Sequence, residues 1–552
     1  MQTIVRNNAA QYARMAVCCL VLLLFSQAVP CHAVSSSNIP LDSPIYLCLE
    51  KLSGFGLISS DIKGIRPFSK AEAARLVLEA ERNLSDRKEE VSPFAAELIQ
   101  RVRVLIQREV QLRSETGSEP KMFDYNLMSA LRLRAVWLDG APRNFLRQVH
   151  VPGNDGVFGI GSGLTPVNPY PSPVTQRGSE GTPLLENNNG VIYRRGFNGD
   201  LRWAAEGYLG GVATGLIEPD LLADSSGIHS SINRGYLKLG GGGLELEAGK
   251  DENWLGLGYR GNITLTNNAK NFMLVKLSSP EPLDVAWIKR YLGEVKYSLT
   301  GSRFERTTTG TTIGDVVREP WFYALKLSAK PTANLEIGFN LGRQVGGTGV
   351  SNSFGDTMRG LIGGTGTDNS NGLAGFELRY RIPWLRNTEL YGEFSGEDTA
   401  AFWPIVESYV AGFYIPLLTD DGRNDFRFEF FQGNQILYTN GTFPEGYLYK
   451  NLPIGHSQGG ATQDFFFRYS HWFSARNNLA LEYFYTNRGM VSRMPGQAIE
   501  RKHAGRLFWS VPLNDTIDAQ LGYGIERVSN LNLVDGAEST NQLLKVELRY
   551  RY

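Results

Sequence analysis

The sequence predicts a mainly β protein: a membrane-spanning barrel of about 18 antiparallel strands, with a small α-helical plug ahead of it. Three observations carry this. From about Asp124 onward, apolar residues recur at period two, as they do on strands whose side chains point alternately to two faces. Connections alternate between short turns and long Gly/Asn/Ser/Thr-rich loops, the asymmetry of a barrel with a turn side and a loop side. An apolar leader opens the chain, and no later run reaches the ~20 apolar residues that a spanning helix needs.

Residues 1–33 read as a cleaved export signal. Arg6 and Arg14 supply the basic region, Met15 to Phe25 the apolar core, and Cys31-His32-Ala33 a tolerable cleavage site. An N-terminal anchor is the alternative, but the run is short for a span. Ala28-Val29-Pro30 before Cys31 is also a poor lipoprotein signal. Cys18, Cys19 and Cys31 leave with the leader, so Cys48 alone remains and no internal disulfide can form. The chain of 552 residues is long enough for one large barrel. Its mean hydropathy of -0.23 and hydrophobic fraction of 42% look soluble, yet alternating strands dilute the membrane signal in just this way. Lys+Arg and Asp+Glu balance at 56 each, which leaves no basic field for nucleic acid.

Residues 34–118 form a separate helical module, expected to lie on the periplasmic side as a plug. Ile45, Leu47, Cys48, Leu49 and Leu52 make an apolar stripe at helical spacing, with Cys48 read as a buried small hydrophobe. Ser69-Lys70-Ala71-Glu72 is a capping box opening a second helix. Ser92-Pro93 starts a third, which the spacing of Val102, Leu105, Ile106 and Glu109 continues toward Leu112.

Residues 119–552 supply the barrel. Leu131, Leu133, Ala135 and Trp137 alternate with Arg132 and Arg134, and Leu544, Val546, Leu548, Tyr550 and Tyr552 alternate with Lys545, Glu547, Arg549 and Arg551. Charge facing lipid would cost about 2–4 kcal/mol at mid-bilayer. Arg132, Arg134, Arg195, Arg202, Arg379, Arg381 and Arg468 are therefore expected to face the lumen. Short turns near 240–243, 329–334, 383–387, 474–478 and 512–515 belong to one end. Long loops near 139–191, 344–371, 434–462, 488–500 and 526–541 belong to the other. A soluble all-β protein with one long-loop side is the alternative, but it would not need to bury the charged strand faces. The terminal aromatic strand resembles the closing strand of bacterial outer-membrane barrels. That resemblance implies contact with outer-membrane lipid and recognition by the barrel assembly machinery. A monomer is expected.

Gly256-Leu257-Gly258-Tyr259-Arg260-Gly261 matches the dinucleotide fingerprint literally, but a helix must follow that motif to hold the pyrophosphate. Asn262 to Asn268 is strand-and-turn sequence instead, so no cofactor is expected, and the glycines are read as letting a loop fold against the barrel wall. The five histidines left after export, His150, His229, His456, His471 and His503, show no metal-site spacing, and no nucleophile elbow is present. No metal and no catalytic residue is expected. Sugar sites combine aromatic faces with Asp, Asn, Gln and Arg. Trp254, Tyr259, Trp403 (beside Phe402), Tyr447, Tyr449 and His456 are the candidates, on the reading that they are exposed in polar loops. Girdle or packing roles compete for each of them, and Asp251 and Asn268 could equally fix loop backbone.

The stretch Glu245 to Ala269 resembles the signature of the Wzi family of capsule assembly proteins: a Gly-[Arg/Lys]-Asp, then Trp-x-Gly-x-Gly, then an Asn-Ala segment. Gly249, Lys250, Asp251, Trp254, Gly256, Gly258, Asn268 and Ala269 hold the matching positions, while Leu257 stands where many members carry proline. The N-terminal Pro40-Leu41-Asp42-Ser43 and the Arg66-Pro67-Phe68-Ser69 helix start extend the likeness. Residues 41–76 also resemble a single S-layer-homology repeat. The family resemblance implies a non-enzymatic outer-membrane lectin that helps hold capsular or exopolysaccharide at the cell surface. The competing expectation is a diffusion porin tethered to the cell wall by its helical module.

Overall fold

The computed structural model describes residues 34–87, 91–114, 118–151, 170–305, 319–348, 350, 353–355, 370–400, 403–440, 442–443, 446–490 and 493–551. The expected export signal at 1–33, Phe402 and Tyr552 lie outside the described residues. Of residues 144–151 and 170–178, and of Trp403, only the backbone is described.

Eighteen strands close into one barrel in which every neighbouring pair is antiparallel, so the chain winds up and down once around the wall. The first strand, Phe123–Asp139, pairs with the last, Glu538–Arg551, in the register Leu133↔Leu548 and Arg134↔Glu547. The two-residue period explains which face goes where. Along the last strand Leu544, Val546 and Leu548 point outward, 46%, 40% and 37% exposed, while Lys545 and Glu547 point inward, 5% and 0% exposed. Arg132, Arg134, Arg202, Arg379 and Arg381 are likewise buried against carboxylates of the inner wall, and Arg468 pairs with Glu482. Arg195 departs from the expectation. It precedes the strand Gly196–Leu209 and lies exposed at the rim beside Asp139, 2.8 Å away.

One end of the barrel carries mostly short turns (210–212, 242–243, 333–334, 383–387, 475–476 and 513–516) and the other mostly long loops. The division is less complete than the sequence suggests. One loop-end connection, 225–226, is tight, and one turn-end connection, 279–293, is long enough to hold the helix Ala286–Leu292.

The helical module sits across the turn end. Helix α1 (Pro44–Gly54) is capped by Ser43, whose side chain accepts from Ile45 N–H at 3.4 Å. Helix α2 (Lys70–Asp86) is capped by Ser69, which accepts from Glu72 N–H at 3.1 Å. Glu72 completes only half of the capping box, because its carboxylate turns to Arg75 at 2.7 Å. The third helical stretch is two helices. Backbone dihedrals leave the helical region at Ile106 and divide α3 (Phe94–Leu105) from α4 (Gln107–Ser114).

Cys48, Leu52, Leu76, Val77, Phe94, Leu98 and Val102 form the core of this module, and Trp472 and Ala475 of the barrel belong to the same apolar cluster. Buried polar contacts fasten it further. Lys51 Nζ donates to Pro416 O at 2.5 Å and pairs with Asp425 at 3.2 Å. Beyond α1 the chain enters the lumen, where Asp61 meets Lys330, Arg379 (3.2 Å) and Arg381 (3.6 Å).

Candidate functional site

The segment carrying the signature residues, 251–272, leaves the strand Leu244–Lys250 at the loop end and returns as Met273–Ser278, but in between it turns down into the lumen. Trp254–Leu255 forms a two-stranded ladder with Ile65–Arg66 of the plug, in the register Ile65↔Leu255 and Arg66↔Trp254. Gly256 N–H extends it by donating to Gly64 O at 2.9 Å. The Arg66 guanidinium lies over the Trp254 ring at 4.9 Å and donates to Gly258 O at 3.0 Å. Trp254 Nε1 donates to the same oxygen at 3.2 Å. Asn262 Oδ1 accepts from Gly258 N–H at 2.8 Å and folds the loop on itself. A Cβ at Gly258 would fall 1.9 Å from Gly261 O, so this reversal requires glycine.

The rest of the segment is held by the loop 434–461, which also folds inward. Tyr438 and Tyr447 donate their hydroxyls to Ile263 O (2.6 Å) and Thr264 O (3.0 Å). Thr266 N–H donates to Ile454 O at 2.8 Å, and Asn268 Nδ2 donates to Pro453 O at 3.0 Å. The polar wall completes the framework: Glu429 accepts from Tyr259 and Arg260 N–H (2.7 and 2.9 Å), and Glu393 from Ile263 N–H (3.0 Å). The signature residues thus form a brace from the plug at the turn end to the loops at the other.

Two carboxylates at the head of the segment tie a third element in. Asp251 accepts from Asn38 Nδ2 at 2.6 Å. Glu252 accepts from Leu41 N–H and from Asn189 Nδ2, both at 2.6 Å. Burial, with Glu247 adjacent, pushes the Asp251 carboxyl up to about 6, and burial pushes Glu252 up to about 7. Gly249 and Lys250 end the strand that leads in, and Ala269 is buried where the segment turns back.

This placement corrects the expectation that the aromatic candidates are exposed. Trp254, Tyr447, Tyr449 and His456 are 5%, 0%, 2% and 0% exposed. The reason is the lumen itself: a wall lined with carboxylates and amides satisfies a polar loop as water would, so the loops fold in. His456 stacks on Phe431 with ring centroids 3.6 Å apart, and burial drives its imidazole down to about 3, so it is neutral. Tyr259 stacks on Phe466 at 5.9 Å and faces a luminal cavity.

The surface that remains open is the loop end. There the register Met273↔Lys250 sets Lys250 close to Lys270, and the loop 434–461 brings Lys450 beside them. Partial desolvation by its neighbours lowers the Lys270 ammonium, with Lys450 and then Lys250 adding like-charge repulsion. Lys450 pairs with Glu305 at 2.8 Å, and Asn271 Nδ2 donates to Asn233 O at 2.9 Å on the same side. Sequence reasoning missed this cluster because its lysines come from three separate segments.

The sequence profile of the capsule assembly protein Wzi family matches residues 165–543. Among solved structures, Wzi of Escherichia coli, an outer-membrane carbohydrate-binding β-barrel involved in group 1 capsule assembly, is 15% identical with a TM-score of 0.65, covering 94% of this chain and 100% of that one. OccK5 of Pseudomonas aeruginosa gives a TM-score of 0.42 at 11% identity, covering 78% of this chain and 98% of that one. No curated protein matches the chain by sequence at a significant level.

Proposed function

Because the chain belongs to the Wzi family of capsule assembly proteins, we propose that it is an outer-membrane barrel that holds capsular polysaccharide at the cell surface, and that it does so without catalysis. The outward apolar strand faces meet lipid. The long-loop end faces the exterior and the helical module the periplasm, the usual arrangement of such barrels. The observation that carries the reading is the braced lumen. A diffusion porin needs a continuous passage, whereas here the plug and two loops meet and hydrogen-bond inside the barrel. The work is therefore done on the loop face. Its polysaccharide contacts are assigned to Lys250, Lys270 and Lys450 with neighbouring amides, and Trp254, Tyr447, Tyr449 and His456 to the framework beneath them. The protein acts as a monomer, and the strand Glu538–Arg551 is what the barrel assembly machinery reads.

The test is binding of the source cell's purified capsular polysaccharide to the immobilised protein. The double variant Lys270→Glu with Lys450→Glu is expected to weaken binding at least tenfold, about 1.4 kcal/mol, and wild-type binding should fall as salt rises. Undiminished binding by a folded double variant would remove the lysine face from the account.

A further inference from the structure

We propose that the lumen holds a second ligand site: a cavity entered from the turn end that takes an anionic sugar, with Lys545 and Arg66 supplying the positive charge. It lies at the opposite end of the molecule from the loop face and does not depend on it.

A cavity of about 420 Å³ separates the plug from the inner faces of the last five wall strands, a size within the ~300–1,000 Å³ of small-molecule sites. Its mouth is at the turn end, where the side chains of Asp42, Arg476 and Asp518 are 39%, 21% and 21% exposed. Glu186, Asn187 and Asn188 close it at depth. Eleven arginines and lysines line it against six carboxylates, and a cleft lined mainly by one sign of charge concentrates ions of the other.

Most of these cations are paired within the wall or plug: Arg468 and Arg506 with Glu482, Arg427 with Glu50, Arg101 and Arg476 with Asp518. Two are not. Lys545, 5% exposed, donates to the neutral amide oxygen of Gln520 at 2.6 Å, and among the described residues no carboxylate lies within 4.0 Å of it. Among the described residues Arg66 donates only to the backbone oxygens of Gly256 (3.4 Å) and Gly258 (3.0 Å), and its Nε has no partner there. The carboxylate acting on Lys545 from the wall, Glu547, is out of contact with it and engaged by Arg134 and Arg549. A buried ammonium without a contact partner is costly, and an incoming carboxylate or phosphate supplies the one the wall omits.

The other lining groups favour a sugar over a bare ion. The Phe508 ring lies 5.2 Å from Lys545 Nζ, and Trp254 and Tyr259 line the plug side, Trp254 beneath Arg66 and Tyr259 against Phe466 and Arg427. Asn187, Asn188, Ser510 and Gln520 add neutral donors and acceptors for hydroxyls. The Phe508 face takes the C–H side of a sugar ring, and the cations take its acid.

The test titrates the full-length exported protein in detergent with glucuronate, glucose and inorganic phosphate, by calorimetry and tryptophan fluorescence. Glucuronate should bind at least tenfold more tightly than either of the others. Lys545→Gln should weaken glucuronate at least tenfold. Gln520→Glu, which gives Lys545 the carboxylate it lacks, should do the same and keeps the proposal testable if the first variant fails to insert. The loop-face double variant should leave glucuronate binding unchanged. No glucuronate binding, equal binding of glucose or phosphate, or full binding by the cavity variants would overturn the assignment. So would its loss in the loop-face variant alone.

Discussion

Asp61→Ala should weaken the seating of the helical module by roughly 3–5 kcal/mol, the cost of breaking a buried ionic contact by removing one partner. Asp61 faces Lys330, Arg379 and Arg381 of the wall together, and Ser53 Oγ donates to it at 3.1 Å. Burial alone would raise its carboxyl. Arg379, Lys330 and Lys63 outweigh burial and hold it well below the usual range. A depressed folded pKa stabilises the ionised state, so this contribution is complete above the unfolded value of about 4 and is lost only in strong acid. The full effect of the substitution is therefore present at neutral pH. Hydrogen exchange across 44–86 would read it, with Asp61→Asn, which keeps the shape and loses the charge, behaving similarly. Unchanged protection in both variants would mean that apolar contact with Trp472 seats the plug without help.

The second large effect is on pH dependence, and its sign is opposite. Glu252 is raised to about 7 by burial, so the folded protein holds a proton that the unfolded chain releases near 4. Stability contributed in this way is complete below the unfolded value and declines as pH rises through the folded one. The shift corresponds to about 3 kcal/mol lost between pH 4 and pH 8. Glu252 joins Leu41 to Asn189, so the loosening falls on the junction of the N-terminal segment with the loops. Glu252→Gln removes the titration and keeps an acceptor. The stability difference between wild type and this variant should therefore shift in the variant's favour from pH 5 to pH 8 in denaturant titrations. A difference independent of pH would show that Glu252 is ionised throughout.

The barrel was legible because one physical rule, alternation, is written in nearly every strand: Leu544 and Lys545 go where period two sends them, and Leu133 and Arg134 do the same across the closing seam. Arg195 breaks the rule by standing one residue outside its strand. The helix break at Ile106 left no mark either, since the apolar spacing runs on through it. The signature segment was legible as a unit but not in its placement. Gly, Asn and Thr between strands signal a loop, and in a soluble protein a polar loop is exposed. Inside a barrel, Glu393 and Glu429 of the wall take up its backbone N–H groups, and the same composition becomes buried. The lysine face needed strand register, which pairs Met273 with Lys250, and no single stretch of sequence contains it.

Single-channel conductance in a planar bilayer tests the central claim most directly, comparing the intact exported protein with a form lacking residues 34–114. The braced lumen predicts silence from the intact protein. It predicts openings once the helices and the Ile65–Arg66 ladder are gone. Large, steady openings from the intact protein would contradict the account and make the molecule a diffusion channel.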